Sequence, residues 1–440
     1  MTDCCIQVVG AGLAGCEAAY AAARMGVRVR LFEMKPHKYT PAHHSPMFAE
    51  LVCSNSLRSA QTVNAAGLLK EELRRMGSLV MEAALACEVP AGSALAVDRE
   101  KFSAYITGKI RSHPLIEVTE EEVTSLPDRG ITVIATGPLT SEALSERIAS
   151  YVGQEQLWFY DAAAPIVDAS TVDMEKAFFA SRYGKGEAAY INCPMTQTEY
   201  EAFYRELIAA REAPRKDFER DLKVFEGCMP VEIMAQRGPE TLLYGPLKPV
   251  GLTDPRTGRE PYAAVQLRQE NREKSMFNLV GFQTHLAFDE QRRVFRMIPG
   301  LEQAEFVRYG VMHRNTFIHS PRLLDATYAL RKNPDLFFAG QMTGVEGYIE
   351  SASSGFVAGV NAARRACGMA PVVFEDISVT GALAHYVCGD TRIGGDFQPM
   401  NANFGIVRSL GVRVKGGKTA KNQALADRSL SYIDRLDLIK

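Results

Sequence analysis

Residues 6–33 constrain this chain more than any other stretch. Ile6-Gln7-Val8-Val9 has the apolar run of a short buried strand, and Gly10-Ala-Gly12-Leu-Ala-Gly15 follows at once. Ala18, Ala19, Ala21, Ala22 and Ala23 then read as a helix that Gly26 stops, Val27 to Phe32 alternate as a second strand, and Glu33 closes it. Strand, G-x-G-x-x-G, helix, strand and terminal acid in register form the βαβ unit that binds a dinucleotide. Gly10 makes the tight turn and Gly12 lets a pyrophosphate approach the backbone. Gly15 and the alanines bring the helix close to the sheet. The helix N-terminus offers free N–H groups and a positive dipole end to the phosphates. Glu33, about 20 residues on, is placed to accept from ribose hydroxyls.

A second unit of the same kind lies far down the chain. Leu336-Phe-Phe-Ala339-Gly340 is a strand into a glycine turn. Gly344, Gly347 and Tyr348 follow, and Glu350 to Ala366 reads as helix. Ile131-Thr-Val-Ile-Ala-Thr136-Gly137 is a third strand ending in a glycine turn. Two such units near opposite ends argue for FAD held by a discontinuous domain rather than a dissociable nicotinamide alone. A helix N-terminus aimed at a flavin ring favours the negative charge of its reduced form. The expected fold is α/β: a Rossmann-like FAD-binding domain of the glutathione-reductase type formed by residues 1–150 and 320–440, with a smaller α/β domain, 151–319, inserted for substrate.

Bulk properties narrow the function. At 440 residues the chain exceeds what one core usually serves. A net charge of −2 gives no global field toward nucleic acid or membrane. Nine scattered cysteines without a C-x-x-C pair favour reduced thiols in a cytoplasm over disulfides or zinc. No apolar run approaches the roughly 20 residues of a membrane span. His43-His44 lacks Cys or carboxylate partners at ligand spacing, so no metal site is expected and a loop near phosphates is the better reading.

Two cysteines stand in suggestive settings. Cys53-Ser-Asn55-Ser resembles the capping region of a helix, where a thiol loses its proton more easily. Gly227-Cys228-Met-Pro230 keeps Cys228 out of a helix interior, at a turn or strand end. From spacing alone, each is better read as a small buried residue. His313-Arg314-Asn315 is dense in groups that hydrogen-bond a heteroaromatic ring, or else a strand with polar edge residues. Arg408, Arg413, Lys415, Lys418 and Lys421 form a basic tract without an acid, either a phosphate-contacting edge or a solvated helix.

Together, Val9-Gly-Ala-Gly-Leu-Ala-Gly15, Glu50-Leu-Val-Cys-Ser-Asn-Ser56, Phe225-Glu-Gly-Cys-Met-Pro-Val-Glu232, Val311-Met-His-Arg-Asn-Thr-Phe317 and Phe338-Ala-Gly-Gln-Met-Thr-Gly-Val-Glu-Gly-Tyr348 resemble the bacterial folate- and FAD-dependent tRNA (uracil-5-)-methyltransferase family, TrmFO. The resemblance runs from the first strand to Phe404. It implies methylation at C5 of uridine 54 in the tRNA T-loop. Carbon would come from methylenetetrahydrofolate, and reducing equivalents from NAD(P)H through FAD. It further implies that Cys228 attacks the uracil, that Cys53 is a second functional thiol, and that Tyr348 lies beside the flavin. FAD contacts would come from Gly10, Gly12, Gly15, Glu33, Gly137, Gly340 and Gly347, and substrate contacts from His313, Arg314 and Asn315. The alternatives are a paralogue methylating a ribosomal RNA uridine, the related wobble-uridine flavoprotein, and a non-methylating RNA-binding flavoprotein. The wobble-uridine relative carries a long C-terminal helical domain for which this chain has no room.

Overall fold

The computed structural model describes residues 4–127, 129–153, 157–162, 164–184, 187–213, 229–389 and 397–438. The first strand, Cys5–Val9, is central to a six-stranded sheet. On one side it pairs in parallel with Arg28–Glu33, which pairs with Ile116–Glu120. On the other side lies Ile131–Ile134, then Asn333–Phe338 from the far end of the chain, also parallel. Leu336, Phe337 and Phe338 pair with Thr132, Val133 and Ile134, so both late glycine turns leave the sheet at the same edge as Gly10. Parallel strands buried on both faces need continuous apolar runs, and Val8, Leu31, Val133, Ile134 and Phe338 are inaccessible.

The second large sheet is wholly antiparallel, in the order Phe178–Ala180, Tyr190–Met195, Ala263–Gln269, Met276–Leu279, Ile166–Asp168, Phe306–Arg308. Helices Gln197–Ala209, Val231–Gln236 and Phe288–Phe295 accompany it. The two sheets have separate cores. One draws on residues from Ile6 to Val152 and from Ile318 to Leu438, the other on Val167 to Ala304. A two-stranded ribbon, Leu157–Ala162 with Met312–Phe317, carries the chain out of the first part and back.

The small residues of the first helix also make a second close contact. Leu13–Arg24 packs against Tyr348–Ala366 so closely that a Cβ on Gly355 would lie 2.2 Å from the Ala14 carbonyl oxygen, and one on Gly359 2.5 Å from that of Ala18. The small residues bring two helices together, one from each glycine unit. Gly15 packs against the turn itself, its would-be Cβ 1.8 Å from the Gly10 oxygen.

The helix expected near Cys53 is absent. Cys53 lies in a loop, and Ser56–Ser59 is a strand paired with Ala94–Val97. Asn55 is fully buried and donates to Val97 O (3.0 Å) and Gln269 O (2.8 Å), so it fastens two segments instead of capping a helix. The helix-end argument for an activated thiol at Cys53 falls with it. The helix Gln197–Ala209 buries Tyr200, Phe203 and Leu207 on its inner face. Cys228 and the segment before it lie outside the described residues.

Candidate functional site

The glycine turns converge on one cavity of about 1360 Å³, open to solvent. Its wall includes Gly10, Gly12, Glu33, Cys53, Gly137, Gly340 and Tyr348. Gly10 has φ +97°, and a Cβ there would sit 2.7 Å from the Ala135 carbonyl oxygen, so only glycine fits. A Cβ on Gly12 would meet nothing within 4 Å. That open space lies where the first helix begins, with neither a side-chain cap nor an acid in its first turn. Its N–H groups are left for an anion.

Glu33 is buried at the end of its strand. Its Oε2 accepts from Ala11 N at 2.7 Å and its Oε1 from Lys35 N at 3.0 Å, which fixes the carboxylate against the glycine turn. Gly340 N donates to Ser354 Oγ at 2.7 Å, tying the late turn to the helix that follows it. Gly15 and Gly347 do not line the cavity; Gly15 supports the first turn, and Gly347 precedes the helix beginning at Tyr348. A cradle with no room for a Cβ at Gly10, open space at Gly12 and uncapped helical N–H groups fits the pyrophosphate of a dinucleotide.

Cys53 meets Tyr348 in the wall of the cavity. The Tyr348 hydroxyl accepts from Cys53 N (2.8 Å) and Ser54 N (3.1 Å). Burial, then the neighbouring Cys53 charge, hold this phenol above its usual range, so it stays protonated. The residue opening the second glycine unit's helix thus orients the loop that carries the thiol.

Sequence reading missed what fixes that loop from the other side. Arg268 is buried and donates through Nε to Asn55 Oδ1 (3.0 Å) and through Nη2 to Ser54 Oγ (2.6 Å) and Asn278 Oδ1 (3.2 Å). Arg99 pairs with buried Glu270 at 2.9 Å and also donates to Leu51 O. Arg268 and Glu270 come from the antiparallel sheet, whereas Arg99 and Asn55 belong to the first part of the chain. The available signal was Val265-Gln-Leu-Arg-Gln-Glu270, where charges interrupt an apolar strand. Such charges inside a core need partners.

His43 also lines the cavity, and burial pushes its imidazole down to about 4, so it is neutral at pH 7. Lys35 and Glu50 lie beside it, 3.8 Å apart. Among the described residues no group of three His, Cys, Asp or Glu side chains could hold a metal ion. His313, Arg314 and Asn315 lie on the returning ribbon strand, opposite Asp161, Tyr160 and Phe159. In the basic tract, Arg408 pairs with Asp376 and lies 3.7 Å from Glu375, while Arg413, Lys415, Lys418 and Lys421 are exposed. Among the described residues no helix is long and apolar enough to cross a membrane.

Comparison with known proteins matches this arrangement. The family model described as glucose inhibited division protein A matches residues 5–370. The methylenetetrahydrofolate–tRNA-(uracil-5-)-methyltransferase TrmFO of Pelotomaculum thermopropionicum is 59% identical over 435 residues, 99% of each chain. The enzyme of the same name from Acetivibrio thermocellus is 60% identical over 428 residues, 97% of each chain. Among solved structures, Aquifex aeolicus GidA in its form II crystal superposes with a TM-score of 0.70 at 18% identity, over 99% of this chain and 74% of that one, a likeness of fold. With a nucleotide cradle built from both ends of the chain and full-length relatives at this identity, the chain belongs to the glucose-inhibited division protein A family and, within it, to the TrmFO group.

Proposed function

We propose that this protein methylates C5 of uridine 54 in the T-loop of tRNA in the bacterial cytoplasm, with methylenetetrahydrofolate as one-carbon donor and FAD, reduced by NAD(P)H, as hydride source. The observation that carries this reading is the single cavity joining both glycine units to Cys53 and Tyr348, in a chain 59% identical to a TrmFO over 99% of its length. Gly10, Gly12, Glu33, Gly137 and Gly340 hold the dinucleotide, with Gly15 and Gly347 shaping its two turns. The division into an FAD-binding body, 1–150 with 320–440, and an inserted substrate lobe, 151–319, belongs to the same reading, and the two separate cores support it.

C5 of uracil is a weak nucleophile. Addition of the Cys228 thiolate to C6 makes C5 the carbon end of an enolate, which bonds to the one-carbon unit. The C5 proton is lost and the bond from the one-carbon unit to the folate nitrogen breaks, which releases tetrahydrofolate and leaves an exocyclic methylene on C5 with the sulfur still on C6; after the methylene is reduced, expulsion of the thiolate restores the C5–C6 double bond. FAD, when bound, supplies the hydride that reduces this methylene to methyl. Cys53 is placed to move a proton beside the reacting ring. Tyr348 holds it there through the two N–H bonds of the loop. His313, Arg314 and Asn315 contact the substrates, and the exposed cations of the C-terminal tract meet RNA phosphates.

The test is transfer of labelled carbon from methylenetetrahydrofolate to tRNA lacking 5-methyluridine, with the product located by nuclease digestion and mass spectrometry. Label at position 54 of tRNA, lost in Cys228→Ala, is the expected result. Label in ribosomal RNA alone would assign the paralogous activity, and no label in either RNA would refute the reading.

A further inference from the structure

An exposed aromatic ladder adjoins, in the chain, an arginine whose charge reaches cavity-lining residues. Phe288 opens the helix Phe288–Phe295 and is 53% exposed. Its ring stacks on Tyr309, with centroids 4.9 Å apart and planes at 17°. Tyr309 stacks in turn on Phe306, at 5.4 Å and 16°. Phe306 belongs to the edge strand of the antiparallel sheet and contacts the fully buried Phe295, which roots the ladder in the core.

The ladder is held in place with unusual completeness for a surface feature. Arg292 donates to the Tyr309 hydroxyl through Nε (3.0 Å) and Nη2 (2.7 Å). The fully buried Gln291 clamps the next residue from both sides, accepting from Gly310 N and donating to Gly310 O, each at 2.8 Å. Isolated exposed aromatics are ordinary. Three near-parallel rings, the middle one next to a buried amide clamp, form a preorganised stack that ends on exposed Phe288, and a further flat ring would extend it.

The residue before Tyr309 in the chain is a cation, Arg308. The Nε and Nη2 atoms of Arg308 are covered and make no hydrogen bond among the described residues. Burial, then repulsion from Arg99, lower its pKa from the usual guanidinium range. The same guanidinium is near enough to Tyr348, Glu50 and Cys53 to feel their charges, and it acts on cavity-lining His43. Nearby Arg211 and Arg293 are engaged by Asp289, Glu206 and Glu290. A covered guanidinium fork without a partner calls for a planar or tetrahedral anion.

We propose that Phe288 and Tyr309 stack a nucleobase of the RNA loop and that Arg308 takes the phosphate beside it, delivering the neighbouring target nucleotide to the Cys53–Tyr348 wall of the cavity. Flat ring and phosphate together are the chemistry of a single-stranded nucleotide, since loop RNA is recognised by stacking unstacked bases on aromatic side chains. The proposal rests on the tRNA reading above and adds where the loop is gripped.

The test uses the full-length flavin-bound protein and an in vitro transcribed tRNA, with affinity measured by fluorescence anisotropy at a series of stated salt concentrations, the variants being compared at the same salt. Phe288→Ala should bind about tenfold more weakly, within the range of one base–aromatic stack, and Phe288→Trp at least as tightly as wild type. A 2-aminopurine in the T-loop next to the target should be quenched by wild type and not by Phe288→Ala. Arg308→Gln should lower the slope of log affinity against log salt by about 0.7–0.9, one phosphate contact. Unchanged affinity and quenching in a folded Phe288→Ala protein would overturn the proposal and assign the ladder to a protein contact. An unchanged salt slope in Arg308→Gln would remove the phosphate half. A wild-type protein that does not bind tRNA would overturn the functional reading itself.

Discussion

Replacing Gly355 with alanine should break the joint on which the nucleotide cradle depends. The two helices meet there backbone to backbone, and the added methyl would lie 2.2 Å from Ala14 O, 2.7 Å from its Cα and 2.8 Å from its carbonyl carbon. Real Cβ atoms essentially never come within 3.0 Å of a neighbour, and the atoms struck are main chain, so no side chain can swing away. The helices must separate. Overpacking of this kind costs roughly 1–3 kcal/mol, and the upper end applies because backbone has to move. Alanine recovers about 1 kcal/mol of helix propensity over glycine, so the net loss is about 2 kcal/mol. Gly108 is the matched control. It lies inside the helix Arg99–Ser112 on an exposed face, where a Cβ would touch nothing within 4 Å. Gly108→Ala should therefore stabilise by about 0.5–1 kcal/mol. Urea unfolding followed by flavin fluorescence and by circular dichroism reads both variants. Since Ala14 follows the phosphate turn, Gly355→Ala should also shed flavin at lower urea than wild type. Equal or greater stability of Gly355→Ala, with Gly108→Ala behaving normally, would refute the packing argument.

Three further outcomes follow from the same geometry. Gly12→Val should fold with wild-type circular dichroism, because a Cβ there meets nothing within 4 Å, yet purify colourless, because it fills the phosphate approach; yellow protein with full flavin occupancy after denaturation would contradict this. Tyr348→Phe deprives Cys53 N and Ser54 N of their acceptor, at about 1–3 kcal/mol for each N–H left dry; methylation should fall at least tenfold with flavin content unchanged, and unaltered kcat would sink the orienting role. Glu17 is buried, accepts from Ser78 Oγ, Leu79 N and Val80 N, and burial pushes its carboxyl up to about 7 from 4.5. Its folded pKa exceeds its unfolded one, so its contribution is complete below pH 4.5 and is lost as pH rises through 7, by up to about 3 kcal/mol. The stability difference between wild type and Glu17→Gln should shift in that direction between pH 5 and 8, and a pH-independent difference would overturn it.

How much was legible in the sequence depended on whether a residue's job was local. Gly10, Gly12, Glu33 and Gly340 act through their own backbone or the next turn, and their spacing along the chain announces them. The strands they terminate are apolar runs bounded by glycine, which periodicity detects. Cys53 misled because Ser-Asn-Ser has two uses. In a local setting it caps a helix, but here Asn55 spends its amide on Val97 and Gln269, the latter 214 residues away. No local rule sees such a partner. Gly355 and Gly359 likewise read as ordinary helix content, because the surface they match, Ala14 and Ala18, lies more than 300 residues earlier. The exposed ladder was invisible for the same reason, since Phe288 and Tyr309 become a pair only when the helix and the edge strand meet.

These long-range contacts place the thiol loop under the control of both parts of the molecule. Tyr348 holds the Cys53 and Ser54 amides from the cofactor side, while Arg268 holds Asn55 and Ser54 from the antiparallel sheet. Arg99 and Glu270 close a second bridge across the same seam. The guanidinium groups are largely covered, so each bond is formed where water cannot compensate for its loss. The antiparallel sheet, whose edge strand ends at Arg308, is thus tied to Ser54 and Asn55 through side chains with little freedom to move. Arg268→Lys keeps the charge but loses the fork that spans Asn55, Ser54 and Asn278. It should leave tRNA affinity near wild type while lowering the rate of methyl transfer in a single turnover. An equal fall in affinity and rate would mean that Arg268 serves binding and not the placement of the loop.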